Sequence, residues 1–136
     1  MNSRNTLLTG AALGLLGVAL GAFGAHALKP MLTETGRVDT FELAVRYQFY
    51  HAVALLVAGI LEHIFNAVFI KYASYLFLIG VILFSGSLYL LCFTQATTFA
   101  IITPFGGIAL IIGWAFLFVG IYKSYQQKKP SCNKMA

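Results

Sequence analysis

The sequence predicts an all-α integral membrane protein: a four-helix bundle with a short interfacial helix between the first and second spans. Of the 136 residues, 60% are hydrophobic and 10% are charged, whereas a soluble domain carries roughly a quarter charged residues. A chain of this length cannot bury so much apolar surface in a core of its own. Four apolar stretches each approach the roughly 20 residues that a helix needs to cross the hydrocarbon core. Lipid is therefore the expected surrounding medium.

The four stretches cover residues 7–28, 47–65, 73–93 and 99–122 of one membrane domain, residues 1–136, which ends in a basic tail at 123–136. Backbone polar groups in lipid must be paired within their own segment, so helices are expected despite the many β-branched residues. The basic residues are not interleaved with aromatic ones as in a nucleic-acid-binding surface. The predicted partner is the lipid bilayer, and no nucleic acid is expected.

The first stretch has two interpretations. Arg4, an apolar run, and Ala25 and Ala27 flanking a histidine resemble a secretory signal with its cleavage site. However, the run is longer than the roughly 7–15 residues of a signal core. Its glycines repeat at spacings of four and three residues, which places them in one seam that a partner helix can approach closely. They are Gly10, Gly14, Gly17, Gly21 and Gly24.

The fourth stretch has a similar seam, with Gly106, Gly113 and Gly120 at seven-residue intervals. Glycines at a helix interface let two backbones approach closely. We therefore expect the first and fourth spans to pack against each other. The alternative is that glycine is simply frequent in membrane helices.

Two helix starts are predicted from capping patterns. Asp39, followed three residues later by Glu42, resembles an N-terminal cap, and Glu42 with Arg46 forms a favourable i,i+4 pair. These residues predict a short interfacial helix that continues into the second span. Thr103 before Pro104 suits a helix that starts with threonine as cap and proline at its first position.

The distribution of basic residues predicts the orientation. An even number of spans puts both termini on one side, and six basic residues lie on that side against three on the other. Cytoplasmic segments carry the excess of Lys and Arg, so both termini are expected in the cytoplasm of a protein of the cell (inner) membrane. Cys92 and Cys132 then lie near opposite faces, and no disulfide is expected. The basic residues are Arg4, Lys71, Lys123, Lys128, Lys129 and Lys134 against Lys29, Arg37 and Arg46.

This topology places His26 and His51 at a similar depth near the outer face. Two histidines on facing helices suit a haem, a metal, a proton relay or a quinone-like head group. The alternative is that both form hydrogen bonds that hold the first hairpin together. The candidate polar cluster contains His26, Arg46, Gln48, His51, Ser85, Tyr89 and Thr103.

No catalytic residues are predicted, because nucleophile-elbow, phosphate-loop and metalloprotease motifs are absent from the sequence. A metal site usually needs three or four ligands, and spacing supplies no others beside the histidines. A bound metal or other cofactor is therefore not expected. Glu62 is expected in the headgroup zone near Lys71, with an inward-facing, proton-coupling role as the alternative.

Several segments of the chain resemble a family of small bacterial membrane proteins, domain of unknown function 423, also called uncharacterised protein family 0382. They are residues 21–28 (GAFGAHAL), 47–52 (YQFYHA), 83–89 (LFSGSLY), 103–107 (TPFGG) and 113–114 (GW). The resemblance implies a four-span cell-membrane protein that retains its first span, and it brings no known activity. It marks the residues His26, Arg46, Gln48, His51, Ser85, Ser87, Tyr89, Thr103 and Pro104, and it leaves Glu62 outside the motifs.

Three functions follow as hypotheses. The first is a non-enzymatic accessory or assembly subunit of a larger membrane complex, suggested by the small size and the glycine seams. The second is a small transporter or channel that works as a homo-oligomer. The third is a cofactor-binding protein that uses the two histidines for haem, a metal or a quinone.

Overall fold

The computed structural model describes residues 1–128, and these residues are helical with no strand among them. Four helices are long and apolar enough to cross a membrane, which confirms the predicted all-α membrane fold. The remainder of the predicted basic tail, with Lys129, Lys134 and Cys132, lies outside the described residues. The helices are α1 (Ser3–Ala25), α2 (Lys29–Glu34), α3 (Val38–Phe65), α4 (Val68–Thr94) and α5 (Thr103–Lys128), with a 3-10 helix (Thr97–Ile101) before α5.

The long helices pack in the order α1, α3, α4, α5. Short connections make successive long helices antiparallel neighbours. The largest buried cluster lies between α3, α4 and α5 and includes Leu55, Ile70, Phe77 and Leu110. Each outer helix has one extensive neighbour, α3 for α1 and α4 for α5. Much of the surface of α1 and α5 therefore faces the surroundings of the bundle.

The glycine seams face these neighbours. A Cβ added at Gly10 would lie 2.9 Å from the carbonyl oxygen of Ala52 on α3, and one added at Gly106 would collide with the backbone of Phe84 on α4. The expectation that the first and fourth spans pack against each other is therefore wrong, because each seam adjoins a different central helix. Along the same seams, Gly17, Gly21 and Gly24 face Gln48, Val45 and Phe41, and Gly113 and Gly120 face Phe77 and Ile70. A Cβ added at Gly14 would lie 3.9 Å from the nearest atom, the Ala52 Cβ.

The central helices contribute glycines of their own, which sequence reasoning missed. Gly59 on α3 adjoins Leu7, and Gly80 on α4 adjoins Leu110. Each outer helix thus inserts a leucine where its neighbour lacks a side chain. Neither glycine belongs to a regularly spaced series like those in α1 and α5, so the sequence provided no indication of its role in packing.

The connection between the first two spans contains one helix more than the capping pattern predicts. As expected, one helix begins beside Asp39 and continues through the second span, α3. A separate short helix, α2, precedes it and has a proline in its first turn. Proline suits this place because the first helical N–H groups have no intrahelical acceptor. Gly36 then takes a positive φ of 65° and separates α2 from α3, a backbone conformation that glycine adopts without strain.

The predicted caps are also wrong. The N-cap of α3 is Arg37, with no side-chain cap hydrogen bond, and Asp39 lies inside the first turn. The Arg46 Nε donates to the backbone oxygen of Glu42 at 3.4 Å, rather than to its carboxylate. Thr103 is itself the first residue of α5, and its hydroxyl lies 2.8 Å from the hydroxyl of Ser87. At Thr103 a contact between two helices has thus taken the place of the predicted cap.

Candidate functional site

Gln48 joins three of the four long helices. Its side chain is buried, with 4% exposed. The Gln48 Nε2 donates to the backbone oxygen of Leu13 on α1 at 2.9 Å, and the Tyr89 hydroxyl on α4 donates to the Gln48 Oε1 at 2.9 Å. Hydrogen bonds of this kind stabilise helix pairs where no water competes. Gln48 and Tyr89 of the predicted cluster are therefore direct partners.

His51 joins α3 to α5. Its Nδ1 lies 2.8 Å from the backbone oxygen of Tyr47, and the Trp114 Nε1 donates to its Nε2 at 3.2 Å. A carbonyl oxygen accepts and an indole N–H donates, so Nδ1 carries the hydrogen and Nε2 is the acceptor. Both ring nitrogens are occupied. A metal or haem iron would have to displace one of these contacts.

The structure does not bring the two histidines together. His26 is the C-terminal cap of α1 and is exposed, whereas His51 packs among Tyr47, Phe77 and Trp114. Within residues 1–128, no group of three or more His, Cys, Asp or Glu side chains is arranged to hold a metal ion. His51 makes hydrogen bonds, as the alternative predicts, but they join it to Trp114 on α5 and do not hold the first hairpin together.

The remaining members of the predicted cluster are dispersed. Arg46 is exposed on α3. Thr103 bonds Ser87 and so joins α5 to α4. Ser85 is 1% exposed, and its hydroxyl has no hydrogen-bond partner within the described part of the chain. The predicted cluster therefore does not form one site: Gln48, His51, Tyr89 and Thr103 make separate contacts between helices, and the other members make none that is described.

Glu62 forms a further buried polar contact, and its side chain faces into the bundle, as in the inward-facing alternative, rather than lying beside Lys71. It is 3% exposed and accepts hydrogen bonds from Thr6 at 3.1 and 3.2 Å and from Ser74 at 2.6 Å. Lys71, its expected neighbour, instead donates to the Asn66 Oδ1 at 2.8 Å. These bonds connect α1, α3 and α4.

Sequence reasoning missed the partners of Glu62, although a signal was present. Thr6 precedes Gly10 by four residues and therefore lies on the seam that faces α3. A hydroxyl on that seam is placed toward a neighbouring helix. The sequence provided no comparable indication for Trp114, because nothing in its spacing shows that its ring reaches His51 on α3.

We expect nitrogen NMR of the labelled protein to show His51 as the neutral Nδ1–H tautomer. The measurement compares wild type with Trp114→Phe, which removes the donor to Nε2 while keeping an aromatic ring. In the variant, the Nε2 resonance of His51 should move and those of the exposed His26 and His63 should not. A protonated Nε2 in the wild type would contradict this assignment.

Four apolar, membrane-crossing helices joined by internal polar contacts define a small multi-pass membrane protein. A model of the family described as "Protein of unknown function (DUF423)" matches residues 20–107. The chain belongs to this family, which confirms the resemblance of its motifs. No solved structure matches it.

Similar proteins are named as membrane proteins of uncharacterised family UPF0382. The UPF0382 membrane protein SAB0533 of Staphylococcus aureus is 38% identical over 117 residues, 86% of this chain and 94% of the relative. YwdK of Bacillus subtilis is 38% identical over 118 residues, which are 86% of this chain and 95% of the relative. The UPF0382 inner membrane protein YgdD of Escherichia coli K12 is 36% identical over 122 residues, which are 88% of this chain and 91% of the relative. The likeness extends over most of each chain.

Proposed function

We propose that this protein is a non-enzymatic accessory or assembly subunit that packs beside a transmembrane helix of a larger membrane complex. The observation that carries the proposal is an open apolar groove between α1 and α3, with a volume of about 670 Å³. Its lining combines small residues on α1 with aliphatic and aromatic ones on α3. It is lined by Gly10, Ala11, Gly14, Leu15, Val18, Ala19, Phe49, Ala52, Val53 and Leu56.

The chemistry of the groove favours a helix as its occupant. Lipid tails are as apolar as leucine side chains, so helices associate in membranes through close packing at small residues. Ala11 and Ala19 are exposed beside Gly14, and Leu15 beside them is 74% exposed. A helix from another membrane protein can approach the α1 backbone closely there. We commit to that occupant over a second copy of this chain.

The internal contacts support the same proposal. The side chains of Gln48, His51 and Tyr89, which a transport pathway or a cofactor would use, bond to neighbouring helices. Their role is to hold the bundle together. Binding is therefore assigned to the outer surface of α1 and α3, with both termini in the cytoplasm as the basic residues indicate.

Site-specific photo-crosslinking in native membranes tests the proposal. A photoreactive residue at Leu15, in the groove, is expected to give one discrete adduct with the same membrane protein in repeated preparations. The control places the same residue at Ile111 on α5, which is 70% exposed and lies outside the groove. That control should not give the adduct.

A groove-filling variant provides the specificity test. A Cβ at Gly14 meets only ordinary contact at 3.9 Å, so Gly14→Leu should leave the α1–α3 interface intact while its larger side chain occupies the groove. The Leu15 adduct is expected to fall at least several-fold in this variant. An adduct of twice the mass of the chain would replace the proposal with a homo-oligomer, and crosslinks to lipid alone would refute it.

A further inference from the structure

A cavity of about 310 Å³ lies where α1, α2 and α3 meet, at the end of the bundle opposite the N-terminus. Its volume falls within the roughly 300–1,000 Å³ of ligand pockets. Leu32 and Phe41, each 1% exposed, form part of an apolar floor. The exposed rim is charged, with Lys29 on α2 and with Glu42 and Arg46 on α3. The other lining residues are Gly21, Gly24, Ala25, Val38 and Val45.

The cavity lies at the level of the lipid head groups. Lys29 is the first lysine or arginine after the apolar part of α1, and Arg46 is the last one before the apolar part of α3. Tyr47 and Tyr50, close to Arg46, are 36% and 59% exposed. Exposed tyrosines are enriched where the hydrocarbon core meets the head groups. Because every phospholipid carries its phosphate at this depth, phosphate is the abundant anion around the rim.

The three charged side chains of the rim retain unused bonding capacity. A guanidinium group has five N–H donors, and Arg46 uses its Nε–H for the backbone oxygen of Glu42. Lys29 and Glu42 accept side-chain hydrogen bonds at their backbone oxygens, and within residues 1–128 their charged groups have no hydrogen bond or ion pair. Two cations and one carboxylate therefore line the same cavity without pairing with each other.

These charges complement a zwitterionic head group better than a lone anion. Lysine and arginine donate strong, charge-assisted hydrogen bonds to phosphate, but the Glu42 carboxylate would repel an isolated anion beside them. A primary ammonium group next to the phosphate reverses that repulsion, because it can donate N–H groups to the carboxylate. A quaternary ammonium group has no N–H to donate.

We infer that this cavity binds one phospholipid with a primary-amine head group, whose phosphate is held by Lys29 and Arg46 and whose ammonium is held by Glu42. The acyl chains leave the cavity past Gly21 and Val45, toward the apolar parts of α1 and α3. Gly21 has no side chain to obstruct that path. The occupant is a membrane lipid rather than a free anion.

The lipid site does not depend on the proposed assembly role. The cavity shares no lining residue with the docking groove between α1 and α3. No partner protein is needed for a lipid to bind there. Each proposal can therefore fail without the other.

Native mass spectrometry of the purified full-length protein tests the inference, with phosphatidylethanolamine, phosphatidylcholine and phosphatidylglycerol of identical acyl chains added to the micelles. We expect one phosphatidylethanolamine to be retained, roughly tenfold more tightly than phosphatidylcholine. Arg46→Gln should weaken retention of phosphatidylethanolamine by roughly tenfold. Arg37→Gln is the matched control, because it removes the same charge at the same end of the bundle and Arg37 does not line the cavity. Its retention should equal that of the wild type.

Glu42→Ala tests the ammonium contact separately. This variant should retain phosphatidylethanolamine and phosphatidylcholine equally, and its retention of phosphatidylglycerol should rise. Lys29, Glu42 and Arg46 are exposed, so these changes leave the buried core intact. Equal retention of the three lipids by the wild type, or equal loss in Arg37→Gln and Arg46→Gln, would overturn the inference. Displacement of the lipid by excess inorganic phosphate would assign the cavity to a free anion instead.

Discussion

Gly106→Ala is expected to lower the free energy of unfolding by about 2 kcal/mol, within the usual range for overpacking. The added Cβ would lie 2.7 Å from the Phe84 Cα and 2.8 Å from the Leu83 carbonyl carbon. Both are backbone atoms of α4, so relief requires the two helices to separate. The higher helix propensity of alanine, worth about 1 kcal/mol, offsets part of the cost. Reversible unfolding in mixed micelles measures the difference.

The neighbouring glycine is the matched control. A Cβ at Gly107 would lie 3.7 Å from the nearest atom, on the Phe84 ring, which is ordinary contact. Gly107→Ala should therefore leave stability unchanged or raise it by up to about 1 kcal/mol. Equal destabilisation by both changes would show that the close contact between α4 and α5 does not determine the effect.

Gln48→Leu is expected to lower the free energy of unfolding by about 1–2 kcal/mol, because it removes both hydrogen bonds that Gln48 makes and leaves the Tyr89 hydroxyl without an acceptor. A double-mutant cycle with Tyr89→Phe isolates the pair. The coupling energy should be between about 0.6 kcal/mol, the average for hydrogen bonds between membrane helices, and about 1.7 kcal/mol, the largest value found for such bonds. The same unfolding measurement serves for all four proteins of the cycle.

Tyr50→Phe is the control for the tyrosine change. Tyr50 is 59% exposed on α3, and its hydroxyl makes no hydrogen bond within the described residues. Its removal should change stability by less than about 0.5 kcal/mol and should show no coupling to Gln48→Leu. A coupling near zero for Tyr89 as well would mean that the Gln48–Tyr89 bond adds nothing to the bundle.

The polar contacts illustrate what spacing can and cannot predict. Gln48, His51 and Tyr89 attract notice in sequence because polar groups are rare in apolar spans. Their hydrogen-bond partners cannot be recognised in the sequence, because the Leu13 carbonyl and the Trp114 ring reach them from helices that are distant in the chain. The expected neighbour of Glu62, Lys71, was wrong for the same reason: hydroxyl groups of α1 and α4, which spacing along α3 does not reveal, enclose the carboxyl group.

The lipid medium, the number of membrane-crossing helices and the two glycine seams could be predicted from the sequence, because hydrophobicity, span length and repeat spacing are local properties of the chain. The tertiary structure alone decided which helix each seam adjoins, that His51 bonds Trp114 rather than pairing with His26, and that Glu62 is enclosed by hydroxyls. These outcomes depend on the order in which the helices pack. Spacing along a single helix specifies which face is apolar or small, but it carries no information about which other helix covers that face.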